Sequence, residues 1–445
     1  MKNVAIIGYG IEGQAAAKYW ADEGARIIIC DADAELKVPK QYAAALGPNA
    51  HGPGVGYLAQ LGAMDLIVRS PGTRPDAILA ANPRSPGLAG RITSGTREFF
   101  AQCPAPIIGV TGTKGKGTTS TLIARILEAA GRTVWLGGNI GRPALEFLSQ
   151  VREDHLVVLE LSSFQLLDLE QSPEVAVCLM IAPEHLNWHT DMAEYVAAKG
   201  NIFAHQRADD LAVYKAGDAR AIELAKLSAG QRLPYGAEPG AVVANGAVVI
   251  DGAKVCDVAE VALVGAHNLE NVCAAVTATW ELVGHDPAPI RAAITSFTGL
   301  PHRLELAGEV AGVRYYDDSF STTPDAAIAA IKAFAEPKVI ILGGSDKGAN
   351  FTRLAQAVEH GGVIHALLIG ETAAQLEAAL RRAGFTHFTT GFTDMPHLIE
   401  TCYHITEPGD VVLLSPACAS FGLFTDYKAR GDQFKAAVQQ LKERL

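Results

Sequence analysis

A glycine-rich stretch at residues 109–120, GVTGTKGKGTTS, carries the residue types that bind phosphate. The apolar run PIIGV leads into this stretch. TTSTLIARILEAAG, which begins with its last three residues and continues beyond it, has the hydrophobic spacing of an amphipathic helix. Backbone N–H groups in such a turn and at the start of a helix bind anions, and Lys116 would neutralise the charge of a phosphate. Strand, loop and helix in this order predict a nucleotide-phosphate site.

The loop departs from the common GxxxxGK(S/T) phosphate-binding pattern at two places. Val110 stands where that pattern begins with glycine, and Gly117 stands where it has the hydroxyl residue that binds magnesium. The first hydroxyl after Lys116 comes one position later in this chain. Thr118 is therefore the predicted magnesium ligand.

A second glycine turn, GYGIEG, follows the apolar run VAIIG near the N-terminus and opens an Ala-rich helical stretch. Gly8, Gly10 and Gly13, with Asp31 at the end of the next apolar run, form the fingerprint of a dinucleotide-binding turn. Two interpretations stay open: a nucleotide site, or a glycine turn that only lets strand and helix pack closely. A nucleotide site would not imply NAD, because Asp31 could hold the ribose or base of any nucleotide.

The elements that must position these turns are readable from the apolar pattern. Short apolar runs alternate with Ala-rich helical stretches, which is typical of α/β proteins with parallel sheets. A chain of 445 residues exceeds one ordinary core, so two or three domains are expected. Turn-rich segments divide the chain into domains at 1–94, 95–299 and 300–445. Residues 232–266 are predicted to form β-hairpins inserted in the middle domain.

Composition argues against several classes of function and location. The net charge of −11 argues against nonspecific binding of nucleic acid or an anionic membrane. Seven scattered cysteines without a CxxC pair favour a reducing compartment over a disulfide framework or a zinc site. The N-terminus is apolar too briefly for a signal peptide, and no apolar run is long enough to span a membrane. The expected location is the cytoplasm, with no nucleic-acid or membrane partner.

The variant loop GTxGKG(S/T) is the form found in ATP-dependent Mur ligases and folylpolyglutamate synthetases. Other motifs occur in the order of the Mur ligase family: GGNIG, LELSSFQL, EHLNWH and YVAAKGNIF, then GAHNLENVCAA and LPHRLE, and then DDSFSTTP, GGSDKG and LLSPACASFGLFTDYKARGDQF. The chain thus resembles the Mur ligase family over essentially all of its residues.

The resemblance implies three domains and an ATP-dependent amide ligase of peptidoglycan precursor synthesis. A Rossmann-like first domain would hold the UDP of UDP-N-acetylmuramoyl-L-alanine, a central P-loop type domain would bind ATP, and a Rossmann-like third domain would bind glutamate and part of ATP. ATP would phosphorylate the alanyl carboxylate, and the amine of glutamate would attack the acyl phosphate. The partners implied are these small molecules alone, with a monomeric protein.

The resemblance also implies two magnesium sites, with Mn²⁺ as an alternative metal. Thr118 and Glu160 would hold the first ion. His185 and Lys199 would hold the second, with Lys199 as a carbamate formed with CO2. Read without the resemblance, Glu160 could be a paired strand end, His185 a structural histidine and Lys199 a solvent-facing helix lysine. Asn139 matches an asparagine that contacts substrate and phosphate beside the metals.

The remaining nucleotide residues are implied in the same way. The catalytic residues would be Lys116, Lys199, His185 and Asn139. The predicted ATP-binding residues are Gly112, Thr113, Lys114, Gly115, Lys116, Gly117, Thr118, Thr119, Asn268, Asn271, Arg303 and Asp318. The predicted UDP-binding residues are Gly8, Gly10, Gly13, Asp31, Ser70, Gly72 and Thr73.

The implied glutamate pocket contains one departure from the family pattern. Its predicted residues are Thr322, Lys347, Ser420, Phe421 and Tyr427. The usual D-glutamate-adding members carry DSKATN, where this chain has DSFSTT, so that Phe320 replaces a lysine. D-glutamate is the expected substrate, and addition of L-glutamate is the alternative. Phe320 itself is expected to make no ionic contact with the substrate.

Three rival readings have their own signatures. A folylpolyglutamate synthetase usually lacks a domain before the ATP loop, whereas about 90 residues precede it here. A nonenzymatic nucleotide-binding regulator would not need Glu160, His185 and Lys199 together. A nicotinamide dehydrogenase would need a second catalytic constellation, and the sequence contains no candidate for one.

Overall fold

Mainly parallel β-sheets form the frame of the protein, as the alternation of apolar runs with Ala-rich stretches predicts. The structure is a computed structural model, and it describes residues 1–47, 56–346 and 348–445. In these ranges three sheets of five or six strands and one small antiparallel sheet carry the fold. The predicted α/β class is confirmed.

The described residues group into two compact units. One unit contains Met1–Glu260 and Glu270–Ile294, and the other contains Val261–Leu269 and Thr295–Leu445. The division into three domains stays a prediction. Each unit is described below on its own.

The first sheet uses the apolar runs of the N-terminal residues. Its strands are β1 (Asn3–Ile7), β2 (Arg26–Asp31), β3 (Ala43–Leu46), β4 (Leu66–Arg69) and β5 (Ile92–Ser94). All pair in parallel, in the order β3-β2-β1-β4-β5. Its helices are α1 (Ile11–Asp22), α2 (Pro75–Ala81) and α3 (Gly95–Gln102). β1 is therefore a central strand, and the GYGIEG turn leaves its carboxyl end.

The second sheet surrounds the strand that precedes the glycine-rich loop. Its strands are β6 (Ile107–Thr111), β7 (Val134–Gly138), β8 (Leu156–Glu160), β9 (Val175–Cys178), β10 (Leu211–Lys215) and β11 (Gln231–Tyr235). All pair in parallel, in the order β11-β10-β9-β6-β8-β7. Its helices are α4 (Lys116–Ala129), α5 (Ser163–Leu166), α6 (Met192–Ala204) and α7 (Ala219–Ala225).

The segment predicted as hairpins divides into two parts. Gln231–Tyr235 pairs in parallel with β10 as an edge strand, so its beginning does not form a hairpin. The rest forms an antiparallel sheet of β12 (Val242–Ala244), β13 (Ala247–Ile250) and β14 (Ala253–Asp257). Asn-Gly and Asp-Gly turns of two residues join these strands, with positive φ at all four positions, as the tightest hairpins require.

The third large sheet belongs to the second unit. Its strands are β15 (Glu305–Val310), β16 (Val313–Asp317), β17 (Lys338–Gly343), β18 (Val363–Ile369), β19 (Phe388–Phe392) and β20 (Val411–Leu414). Their order is β15-β16-β20-β17-β18-β19, and β15 pairs antiparallel with β16 while the others pair in parallel.

The remaining helices complete the chain. They are α8 (Ala266–Thr279), α9 (Pro287–Ser296), α10 (Pro324–Lys332), α11 (Thr352–His360), α12 (Ala373–Ala383), α13 (Met395–Ile405) and α14 (Tyr427–Arg444). In the second unit, buried apolar side chains form one cluster on each face of the sheet.

The two large sheets of the first unit share one apolar core. Trp20 on α1 and Phe99 on α3 belong to the same buried cluster as Phe147 and Val157 beside the second sheet. Burial of apolar side chains stabilises by about 25 cal/mol per Å², so this shared cluster holds the two sheets together. The relative position of the two glycine turns is consequently fixed by packing within one unit.

Candidate active site

The glycine-rich loop leaves the carboxyl end of β6, beside two other strands that end in polar residues. In the parallel pairing of β6 with β8, Val110 lies opposite Glu160. In the pairing with β9, Thr111 lies opposite Cys178. Ligands of open α/β sheets bind at such carboxyl edges. The loop and the predicted metal ligand Glu160 therefore share one edge of the sheet.

Close packing against Asn271 fixes the turn that starts α4. Gly115 has a φ of +87°, and a Cβ added there would lie 2.3 Å from Asn271 Oδ1. The same oxygen accepts a hydrogen bond from Thr119 Oγ1 at 3.4 Å. Asn271, predicted to bind ATP, thus also contacts the loop and the first turn of its helix. Thr118 is buried in that turn.

Two lysines meet at one carbonyl of the loop. Lys116 Nζ donates to Gly112 O at 3.2 Å and to Thr113 O at 3.1 Å. Lys199 Nζ donates to the same Gly112 O at 2.9 Å and to Thr111 Oγ1 at 3.4 Å. The structure therefore brings these two predicted catalytic residues together, although the sequence separates them by more than 80 positions.

Lys199 is not a solvent-facing helix residue. It is 2% exposed, and its Nζ lies 4.7 Å from the centre of the Tyr195 ring. Burial, followed by the charge of Lys116, lowers the pKa of Lys199 to about 7. The amine is thus easily neutral at physiological pH, whereas an exposed lysine is not.

Glu160 and Asn139 form a second contact pair at this edge. Asn139 Nδ2 donates to Glu160 Oε1 at 2.7 Å, and the backbone N–H of Asn139 donates to Glu160 O at 2.9 Å. Glu160 ends β8 and is 7% exposed. Its carboxylate therefore lies in a protected position with acceptor capacity left for a further partner.

His185 stands at a strained backbone position. Its φ is +57°, uncommon for a residue other than glycine, and Trp188 and His189 both donate backbone hydrogen bonds to its carbonyl at 3.0 Å. The ring lies 4.8 Å from that of Phe164, and burial lowers the pKa of His185. The neighbouring Glu184 pairs with Lys114 of the glycine-rich loop.

The donor set of these residues fits magnesium. Carboxylate and hydroxyl oxygens are its preferred protein ligands, and Glu160 and Thr118 supply one of each. A lowered pKa leaves the His185 imidazole neutral, which is its ligand form. Glu160 retains unfilled acceptor positions beyond the hydrogen bond from Asn139. The residues present are therefore suited to a hard divalent cation.

The predicted UDP residues lie near the carboxyl ends of three neighbouring strands, β2, β1 and β4. A Cβ at Gly13 would lie 1.9 Å from Gly8 O, whereas one at Gly10 would meet no atom within 4 Å. Asp31 Oδ2 accepts from Tyr9 N at 2.7 Å. Gly13 thus serves close packing, as one interpretation proposed, while Gly10 leaves the turn open to a ligand.

The loop after β4 completes this edge. Ser70 N donates to Ile7 O at 2.8 Å, and Ser70 Oγ lies 3.4 Å from Thr73 Oγ1. The carbonyl of Gly72 accepts from Trp188 Nε1 at 2.8 Å. The predicted UDP residues therefore lie at or just after the carboxyl ends of the adjacent strands β2, β1 and β4, with Gly13 in the first turn of α1.

Two polar contacts between residues around these sheets were not among the predictions. Arg69 is 1% exposed and donates from Nε to Asp168 Oδ2 at 2.8 Å. Gln165, in the capping box of α5, donates from Nε2 to Glu12 Oε1 at 3.0 Å. An arginine at the end of an apolar strand is the signal that could have revealed the first pair, because a buried charge needs a partner.

In the second unit, two predicted ATP residues lie near the end of β16. Asp318 is buried, and its carboxylate accepts from Ser415 Oγ at 2.6 Å and from Leu304 N at 3.2 Å. Burial raises the pKa of Asp318 to about 6. The guanidinium of Arg303 lies 4.6 Å from the centre of the Phe320 ring. Asn268, buried, donates from Nδ2 to Val264 O at 2.7 Å.

Four of the five predicted glutamate residues lie in the part of the second unit that the structure describes. Tyr427 is the first residue of α14, and its ring packs edge-on against Phe320 at 5.2 Å. Ser420 is buried, Phe421 is 60% exposed, and Thr322 is half-buried. Lys347 lies outside the described residues.

A buried arginine joins two loops of this unit. Arg430 is 0% exposed and donates from Nε to Ser319 Oγ at 2.9 Å and from Nη2 to Ser319 O at 2.9 Å. It also donates to Cys418 O at 3.2 Å. The loops that carry Asp318 and Ser420 are thereby connected through one side chain, which the sequence did not reveal.

Comparison with known proteins gives the family. Residues 110–279 match the Mur ligase middle domain, and residues 302–418 match the Mur ligase glutamate ligase domain. A UDP-N-acetylmuramoylalanine–D-glutamate ligase of Symbiobacterium thermophilum is 38% identical over 99% of this chain and 98% of its own. The chain belongs to the Mur ligase family. A ligase of the same name from Clostridium tetani is 36% identical over 99% of this Mur ligase and 97% of its own chain.

Solved structures share the fold of this Mur ligase. The MurF ligase of Thermotoga maritima in complex with ADP has a TM-score of 0.60 at 16% identity, over 99% of this chain and 95% of its own. A UDP-N-acetylmuramate-alanine ligase of the same organism has a TM-score of 0.59 at 17% identity, over 99% and 100%. The family and the multidomain α/β fold predicted from the motifs are thus confirmed. Among the described residues, no helix combines the length and apolar character needed to cross a membrane.

Proposed function

We propose that this Mur ligase joins D-glutamate to the alanyl carboxylate of UDP-N-acetylmuramoyl-L-alanine, at the expense of ATP, in the synthesis of peptidoglycan precursors. The observation that carries the proposal is similarity along the whole chain to relatives named D-glutamate ligases, at 38% and 36% identity. We place the reaction in the cytoplasm and expect a monomer.

The chemistry follows from joining two anions. The γ-phosphoryl group of ATP is transferred to an alanyl carboxylate oxygen, which gives an acyl phosphate and ADP. The amine of glutamate attacks the carbonyl carbon, the amide bond forms, and phosphate and a proton leave. Lys116, held at the Gly112 and Thr113 carbonyls, supplies positive charge where the transferred group carries negative charge.

Two magnesium ions are assigned to the donor residues at this edge. Thr118 and Glu160 would hold one, and His185 and Lys199 would hold the other, with Mn²⁺ as an alternative. Bound divalent metal supplies charge neutralisation at the phosphate oxygens. Asn139, through its hydrogen bond to Glu160, orients that carboxylate.

Lys199 suits this role as a carbamate rather than as an ammonium. An ammonium next to Lys116 would repel a cation, while the contacts of its Nζ are a carbonyl, a hydroxyl and a ring. The neutral amine adds to CO2 and loses a proton, which leaves an anionic carbamate. The remaining N–H can still donate to Gly112 O.

The other substrates are assigned to the loops described above. The edge formed by Gly8, Gly10, Asp31 and the loop after β4 would hold the UDP group. In the second unit, Arg303 and Asp318 would contact ATP, and the residues near Tyr427 would contact glutamate. Lys347, outside the described residues, belongs to the same proposed pocket.

At Phe320 the chain departs from the family pattern, so the pattern says least there about which glutamate enantiomer is the substrate. Its ring lies 4.6 Å from the Arg303 guanidinium and packs edge-on against the Tyr427 ring, so its contacts are those of an uncharged aromatic group. We expect Phe320→Leu to change the KM for glutamate much less than Lys347→Ala. Equal losses of glutamate affinity in the two variants would contradict this assignment.

Product analysis with each glutamate enantiomer tests the proposal. The purified protein is incubated with UDP-N-acetylmuramoyl-L-alanine, ATP, Mg²⁺ and either D- or L-glutamate, and both phosphate release and product mass are measured. The expected result is one amide product with D-glutamate and one phosphate per product. Product with L-glutamate alone would make this the L-glutamate-adding relative, and no product with either would exclude the proposed ligase.

A further inference from the structure

Two loops of the first unit are connected by a single arginine. We call residues 70–74 the substrate loop and residues 184–190 the His185 segment. Arg74 Nη1 donates to Trp188 O at 3.0 Å. The same guanidinium forms a two-pronged ion pair with Glu194 on α6, at 2.9 Å from Nη1 and 2.8 Å from Nη2. One side chain of the substrate loop therefore contacts both the His185 segment and α6.

Trp188 forms a second connection in the opposite direction. Its Nε1 donates to Gly72 O at 2.8 Å, and Arg74 lies 5.1 Å from the centre of its ring. Planar guanidinium groups favour such contact with aromatic faces. A side chain of each loop thus donates a hydrogen bond to a backbone carbonyl of the other loop.

The connection is partly shielded from water. The side chains of Arg74 and Glu194 are 20% and 23% exposed. Bidentate pairs between arginine and carboxylate are among the strongest and most directional hydrogen bonds, and shielding reduces screening. A rigid link is therefore expected here, unlike at an ordinary surface ion pair.

The network continues into the proposed metal site. Glu194 Oε2 accepts from Thr190 N at 2.9 Å and contacts His189 Nδ1 at 3.1 Å. His189 Nε2 lies 2.9 Å from Ser163 Oγ. Glu194 also stands on the helix that carries Lys199. Movement of the substrate loop would therefore displace the segment and the helix that carry His185 and Lys199.

We propose that Arg74 and Trp188 are positioning residues that couple occupancy of the substrate loop to metal affinity at His185 and Lys199. The proposal rests on the proposed function, because it takes the substrate loop to contact the UDP group. Coupling between two sites is reciprocal, so bound UDP would raise the affinity for the metal, and bound metal would raise the affinity for UDP by the same factor.

The test measures this linkage directly on the full chain. Free Mn²⁺ is followed by electron paramagnetic resonance during titration of the protein, with and without saturating UDP, and a titration of UDP without protein corrects for the Mn²⁺ that its diphosphate binds. In the unmodified protein UDP is expected to lower the Kd for Mn²⁺ about fivefold or more. Arg74→Met should abolish that change, and Trp188→Phe, which removes one hydrogen bond but keeps an aromatic ring, should reduce it. Arg74→Lys should not restore it fully, because an ammonium cannot form the two-pronged pair.

A matched control exists in the same unit. Arg97 on α3 pairs with Glu170 at 2.7 Å, and it also connects the N-terminal residues to those around the second sheet. Arg97→Met should lower stability only slightly, because the Glu170 side chain is 72% exposed, and it should leave the linkage intact. Thermal melting of every variant identifies those that fold.

The outcomes separate the two proposals. The coupling is overturned if UDP leaves Mn²⁺ affinity unchanged in the unmodified protein, if folded Arg74→Met and Trp188→Phe keep the full linkage, or if Arg97→Met loses it equally. Product formation, measured separately, decides the proposed function. A protein that makes the product but shows no linkage would refute the coupling alone.

Discussion

The two glycine turns of the first unit share a plan and differ in charge. Each leaves the carboxyl end of a central parallel strand and opens a helix, α1 in one case and α4 in the other. The first helix has Glu12 in its opening turn, whereas the second begins with Lys116. Acidic residues suit a helix N-terminus and basic ones do not, because the helix dipole places positive charge there.

This difference separates binding from chemistry. A lysine at the start of a helix opposes the helix dipole unless an anion is present, so the position of Lys116 favours a bound phosphate. Burial raises the pKa of Glu12 to about 7, which reduces its opposition to an anion at the first turn. An anionic group is therefore opposed less at the first turn than an ionised Glu12 would imply.

The sharpest test of the contrast is removal of the lysine at the second turn. Lys116→Ala should lower kcat by about a thousandfold, since it removes charge stabilisation of the transferred phosphoryl group. The control is Lys18→Ala, which removes an exposed lysine of α1 that pairs with Asp22. ATP-dependent phosphate release near the normal rate in a folded Lys116→Ala protein would refute the role.

Lys199→Ala should lower kcat by about a hundredfold, because metal affinity and phosphate orientation are lost together. If the active group is a carbamate, formate or acetate should restore part of the activity by replacing the carboxylate. Activity is measured with and without these acids in CO2-depleted buffer. Full activity of the alanine variant in that buffer would exclude the carbamate.

At the first turn, replacement of Gly13 should lower the free energy of unfolding more than replacement of Gly10. Gly13→Ala should lower the free energy of unfolding by about 3 kcal/mol, because its Cβ would approach Gly8 O to 1.9 Å. Gly10→Ala has open space around its Cβ and should change stability by less than about 0.5 kcal/mol. Urea denaturation measures both, and equal losses would contradict the packing role of Gly13.

The last prediction concerns Glu12 and the dependence of stability on pH. The folded pKa of about 7 exceeds the ordinary value of 4.5, so the folded protein retains a proton that the unfolded chain loses. Its ionisation therefore costs stability from about pH 4.5 upward, and the cost is complete above about pH 7. Glu12→Gln should be stabilising by about 2 kcal/mol at pH 8 and nearly neutral at pH 4. A stability difference that does not change between these pH values would contradict the shift.

Local patterns predicted most of the elements that form the site. The run PIIGV became β6, and the helix expected after the loop begins at Lys116. The spacing of apolar residues determines such elements, since it records which side chains must be buried. The motif order likewise identified the family, because the motifs follow one another along the whole chain.

Contacts between distant segments could not be predicted in this way. Asn271 packs on Gly115 from more than 150 positions away, and Arg74 pairs with Glu194 across more than 100. The sequence alone did not decide whether Lys199 is a buried ligand or a solvent-facing residue. The packing of α6 shows that it is buried. The metal, UDP, ATP and glutamate assignments all stay predictions, since no single segment determines them.

The small antiparallel sheet of β12, β13 and β14 has a consequence for the order of folding. Turns of two residues join its strands, so its pairing requires almost no loop closure, whereas each parallel pair needs a long crossover. Hairpins form in about 1–10 μs, and topologies rich in distant contacts fold far more slowly. We therefore expect this sheet to form earliest, and the rate of the whole chain to depend on the crossovers of its large sheets.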